Sequence, residues 1–65
     1  MFTLKSNLYV QTQNERDEEA IICLPIGTQI RDINSEEEYC IFEANIRGKW
    51  KVCTRESTIP SSYLE

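Results

Sequence analysis

Apolar and polar residues alternate most regularly between Tyr39 and Thr54, YCIFEANIRGKWKVCT, on both sides of Arg47-Gly48-Lys49. A period of two is the pattern of a half-buried strand. Two such arms around a polar, glycine-containing loop predict a β-hairpin. Its register follows from matching like with like, because a slip of one residue turns every side chain to the other face. A three-residue loop sets Ile46 against Trp50 and gathers Cys40, Phe42, Ala44, Ile46, Trp50 and Val52 on one face. Tyr39, Ile41, Glu43, Asn45, Lys51 and Cys53 then share the other face. A two-residue loop would instead oppose Asn45 to Trp50 and Ile46 to Lys49. The first arrangement separates apolar from polar better, so Trp50 is expected in the core and Cys53 outside it.

The remaining chain reads as shorter elements of the same kind. Residues 1 to 6 carry no clear signal, and Leu8-Tyr9-Val10 is a brief β-prone run. Gln11 to Glu19 is polar without periodicity and predicts a loop. Ala20 to Leu24 is apolar, rich in β-branched residues and stopped by Pro25, which predicts a buried strand. Pro25 to Thr28 forms a turn. Thr28 to Ile33 resumes as a strand with Ile30 facing inward, and Asn34 to Glu38 is a second, acidic loop. Near the C-terminus, Pro60-Ser61-Ser62 favours a 3₁₀ turn that returns Tyr63 and Leu64 to the body of the protein. No repeat or linker divides the chain, so residues 1–65 form one all-β domain. Its expected architecture is a small barrel of five to six short antiparallel strands.

Charge narrows the range of partners. The net charge of −4 is uneven: eight acids oppose three bases through Glu38, a balance of −5, and three acids oppose four bases after it, a balance of +1. An acidic surface repels phosphate backbones, which argues against nucleic acid and for a basic partner. The longest apolar run, Ala20 to Leu24, falls far short of the roughly 20 residues that span a bilayer. No export signal is visible at the N-terminus, so the expected location is cytoplasmic if the chain is complete, and periplasmic or extracellular if a signal was removed.

Chemistry is sparse. Three cysteines, Cys23, Cys40 and Cys53, cannot all pair within one chain, and free thiols suit a reducing compartment. There is no histidine, no Cys-x-x-Cys spacing and no glycine-rich phosphate loop. Neither metal nor cofactor is expected, and the chain is read as a non-enzyme. Cys53, close in sequence to Lys51 and Arg55, is the one conceivable nucleophile, with a structural thiol as the competing reading.

The motifs Leu8-Tyr9-Val10-Gln11, Leu24-Pro25-Ile26-Gly27-Thr28-Gln29-Ile30, Trp50-Lys51-Val52 and Ser61-Ser62-Tyr63-Leu64 occur in an order that resembles the SH3-like fold. The closest resemblance is to bacterial SH3 domains. Eukaryotic SH3 domains are the near relative, through Pro60-Ser61-Ser62-Tyr63. This likeness implies an SH3-like barrel and a binding module. It also implies that the two acidic loops lie near one another, bringing Glu15, Asp17, Glu18, Glu19, Glu36, Glu37 and Glu38 to a shared rim. Tyr9, Tyr39, Pro60 and Tyr63 would supply an aromatic floor, with Tyr9 and Tyr63 as core edges the alternative. Such a groove suits a basic or proline-containing peptide or protein surface. The competing readings are a small inhibitor or immunity-type protein that blocks an enzyme with its acidic surface, and a cell-wall peptide-binding domain. A free edge strand offers a route to homodimerisation.

Overall fold

The computed structural model describes residues 1–65. It contains β1 (Phe2–Thr3), β2 (Leu8–Gln13), β3 (Glu19–Leu24), β4 (Gln29–Ser35), β5 (Cys40–Ile46), β6 (Lys49–Arg55) and a 3₁₀ turn at Ser61–Tyr63. The six strands form one antiparallel sheet in the order β1-β4-β5-β6-β2-β3. The expected all-β class, antiparallel pairing and C-terminal 3₁₀ turn are therefore present. The sheet is not closed into a barrel, because its terminal strands β1 and β3 do not pair with each other; β3 ends as a free edge, while Thr3 of β1 exchanges hydrogen bonds with Glu65 at 3.0 and 2.9 Å. Its inner face still encloses a single core built from Leu8, Val10, Leu24, Ile30, Phe42 and their neighbours.

The N-terminal residues, which lack a sequence signal, help complete that core. Leu4 is buried and bridges Leu64. Its N–H donates to the Thr28 carbonyl at 2.9 Å, its own carbonyl accepts from Gly27 N–H at 2.8 Å, and the N–H of Lys5 donates to the Tyr63 carbonyl at 2.7 Å. Leu4 thus ties the turn before β4 to the 3₁₀ turn. The segment is too short to show periodicity, and only its partners, distant in sequence, reveal its role.

Alternation explains β2, where Leu8, Val10 and Thr12 are buried while Tyr9, Gln11 and Gln13 face outward. The expected loop from Gln11 shrinks to a tip at Asn14–Glu18, because Gln11 and Gln13 occupy outer positions where polar side chains are normal. Asn14 organises that tip: its Oδ1 accepts from the N–H groups of Arg16 (2.8 Å) and Glu18 (3.1 Å). Asp17 takes φ 58°, a left-handed geometry that aspartate tolerates better than most residues.

Between β4 and β5 the register shifts, with Arg31 opposite Glu43 but Asn34 opposite Ile41. The extra residue is accommodated as a β-bulge at Asp32, φ 56°. One consequence is that Ile33, which unbroken alternation would set on the face opposite Ile30, packs against the core as Ile30 does.

The central hairpin departs from the expected register. Its loop has two residues, Arg47 and Gly48, with φ 54° and 83°, the paired positive values of a type I′ turn. Asn45 Oδ1 accepts from Gly48 N–H at 3.0 Å. Ile46 consequently faces Lys49, Asn45 faces Trp50, Glu43 faces Val52 and Phe42 faces Cys53. Cys53 is fully buried, whereas Val52 is 60% exposed. Trp50 lies on the outer face, half-buried beneath the Arg31 guanidinium, 3.9 Å from the ring centroid. Turn chemistry decided the register: the twist of a two-residue hairpin favours I′, and Asn45 and Gly48 supply its hydrogen bond. A cysteine fills the core as well as valine would, and Arg31 gives Trp50 a partner outside.

Candidate functional site

The exposed acids do not meet. Glu36, Glu37 and Glu38 lie in the β4–β5 loop, beside Ser35, Cys40 and Arg55, at the end of β6. Glu15, Asp17 and Glu18 stand at the β2–β3 tip, with Glu19 starting β3. Strand β2 runs antiparallel to β6 through Gln11↔Thr54 and Thr12↔Cys53, so its far end points toward Lys51 and Lys49, at the start of β6. The two acidic groups therefore occupy opposite ends of β6, and the shared rim is not formed.

The aromatic floor is also divided. Tyr39 is exposed and belongs with Glu36–Glu38. Pro60 is exposed and precedes the 3₁₀ turn, while Tyr63 is half-buried against the core, the core-edge alternative. Tyr9 stands out from β2, 70% exposed, in a shallow cleft with Ile21, Arg55 and Glu56.

A different constellation assembles on the outer face of β6, β2 and β3. Tyr9 and Ile21 are exposed to 70% and 69%, and Val52 stands on the same face of β6. The register continues this surface across the sheet, from Ile21 through Gln11 and Thr54 to Ile41. Beside it, Arg31 stacks on Trp50 while its Nε donates to Glu43 Oε1 at 2.8 Å. Asp17 and Glu19 border a neighbouring cleft with Gln11, Gln13, Lys51, Val52 and Thr54. Two of the seven expected rim acids, Asp17 and Glu19, thus stay on this face, beside Val52. Ile21 and Val52 were missed because Ile21 sits in an unbroken apolar run and Val52 was assigned inward by the wrong register. The alternation of β2, continued across the hairpin to β3, is the signal that could have found Ile21.

The thiols have little reactive character. Cys40 and Cys53 lie on the inner face, diagonal to one another in the register, and both are free. Burial pushes both pKa values above the usual thiol value of 9.0. For Cys53 this outweighs the opposing influences of Thr12 and Lys51, so the outward position expected from sequence gives way to a buried, protonated thiol, and the conceivable nucleophile gives way to the structural reading. Cys53 Sγ lies 3.6 Å from the Lys51 carbonyl. No group of three or more Cys, Asp or Glu side chains converges to a metal-holding arrangement. No helix is long and apolar enough to cross a membrane.

No protein-family model matches the chain, and neither a curated protein nor a solved structure shows significant similarity to it.

Proposed function

We propose that this chain is a non-enzymatic binding module that takes a basic or proline-containing peptide or protein surface on the outer face of β2, β3 and β6. The observation that carries the proposal is the pair Tyr9 and Ile21, two large apolar side chains left in water side by side in one cleft of a 65-residue domain, with exposed Val52 further along the same face. Single exposed apolar residues are ordinary, whereas neighbouring ones mark contact surfaces. Aromatic residues are favoured anchors in such surfaces. Asp17 and Glu19 border the same face and supply charge that steers a cationic partner. The resemblance of four ordered motifs to bacterial SH3 domains supports the same reading.

The test is an amide chemical-shift titration of the labelled protein with two synthetic peptides, one rich in lysine and proline and one with glutamate in place of lysine. The basic peptide should move the resonances of Tyr9, Ile21, Val52, Asp17 and Glu19, and the response should weaken with salt. The double substitution Tyr9→Ser and Ile21→Ser should abolish it while the domain stays folded. Equal responses to both peptides, or shifts confined to Glu36–Tyr39, would defeat the proposal.

A further inference from the structure

Strand β6 is paired unequally on its two sides. Toward β5 it is matched along its whole length, from Lys49 to Arg55. Toward β2 it is matched only at Cys53 and Thr54. Thr12 Oγ1 donates to the Val52 carbonyl at 2.9 Å, the last link before the strands part. Beyond it, Gln13 pairs with Glu19 on β3 and has no partner on β6. The Lys49–Val52 edge therefore faces a gap whose opposite wall is the β2–β3 tip.

Clefts open on both faces of the sheet at this gap. The outer one is bordered by Gln13, Asp17, Glu19 and Val52, and the inner one by Ile22, Ile46, Arg47 and Lys49. Thr12, Gln13, Asn14 and Lys51 belong to both, so the two clefts are the two sides of one opening. The walls differ in charge. Asp17 and Glu19 are the ionised residues that set the outer side apart, while Arg47 and Lys49, with only Glu15 opposing them, dominate the inner side above Ile22 and Ile46. None of these ionised groups has an oppositely charged partner within ion-pair distance, since the only such contacts in the protein join Arg31 to Asp32 and Glu43.

We infer that this gap receives an extended segment of another protein as an added strand along Lys49–Val52, pairing beyond the Val52 carbonyl that Thr12 already holds. Alternate side chains of that segment would point to opposite faces. The guest would place cationic residues outward, against Asp17 and Glu19, and acidic or apolar residues inward, against Arg47, Lys49 and the Ile22–Ile46 floor. Main-chain pairing supplies affinity and the alternation of sign supplies selectivity. This inference extends the binding-module reading from an apolar face to the adjacent backbone edge, and it can fail while that reading stands.

The probe is a synthetic peptide of about eight residues, a typical strand length, alternating lysine with leucine and glutamate. The control has the same composition with like residues grouped in blocks. Binding to the full chain is read by chemical shift and by amide hydrogen exchange. The alternating peptide should slow exchange within Lys49–Val52 and bind about tenfold more tightly than the block peptide, as expected for a few aligned exposed charge contacts. The pair Arg47→Glu and Lys49→Glu should reverse the preference for glutamate at inward positions. Equal affinity for the two peptides, absence of binding, protection of the free β3 edge, or mere self-association of the domain would each overturn the inference. If the lysine- and proline-rich peptide still engages Tyr9 and Ile21 while Lys49–Val52 stays unprotected, the apolar-face reading survives and the added strand does not.

Discussion

The hairpin register can be tested by giving adjacent residues the same substitution. Val52 is 60% exposed, whereas Cys53 is fully buried opposite Phe42. Val52→Asn removes no core contact and should cost about 1 kcal/mol or less, mainly through strand preference. Cys53→Asn buries an amide with two donors and a carbonyl where the thiol met only the Lys51 carbonyl and its neighbours, and leaving one of those groups unpaired costs about 1–3 kcal/mol. It also inserts extra volume into a packed core, for about 1–3 kcal/mol more. A 65-residue domain at about 0.05–0.15 kcal/mol per residue has a total stability of about 3–10 kcal/mol. The second substitution should therefore remove a large share of it. Urea denaturation followed by circular dichroism and Trp50 fluorescence measures both variants on one scale. A severe loss in Val52→Asn with tolerance of Cys53→Asn is the outcome of a three-residue loop, and it would refute the register described above.

Four further outcomes are expected. With an aromatic disulfide reagent, only the exposed Cys23 of the native protein should react quickly, and rapid labelling of all three thiols would contradict the burial of Cys40 and Cys53. Both buried thiols have raised pKa values, so the unfolded chain loses their protons at lower pH than the folded one. Their effect on stability is therefore constant below the unfolded value and falls as pH rises above 9.0, a decline that Cys40→Ala and Cys53→Ala should lessen in alkaline melting experiments. Arg47 holds φ 54° without the freedom of glycine, so Arg47→Asn should raise stability by about 0.5–1 kcal/mol, and a loss would argue against the I′ turn. Arg31→Ala, which removes the stack on Trp50 and the Glu43 contact, should cost about 0.5–1.5 kcal/mol and shift Trp50 emission toward that of solvated tryptophan.

What could be read from the chain was local. The strands around Tyr9, Ala20–Leu24, Ile30 and the central hairpin each carry their own alternation or bounding turn, and Ile30 is buried as expected. The register was harder, because apolar matching and turn geometry pointed to different loops and differed by a single residue at Lys49. Asp32 hid its bulge for a similar reason: one inserted residue reverses every later face assignment, including that of Ile33. The candidate site depended on relations that local patterns do not contain. Whether Glu15–Glu19 approach Glu36–Glu38 is settled by the antiparallel pairing of β2 with β6, across almost the whole chain. Tyr9 was legible as a surface aromatic, but its neighbours Ile21 and Val52 required the sheet order.

That same long connection bears on how the molecule assembles. Strands β4, β5 and β6 follow one another as neighbours, and β2 and β3 form a hairpin of their own, so both units can arise from nearby residues. Joining them requires Thr12 to find Val52, 40 positions away, through a junction of only two matched residue pairs. Loop-closure entropy makes such a step late and slow relative to hairpin formation. The opening beside Lys49–Val52 therefore lies along the seam where two early-forming pieces meet.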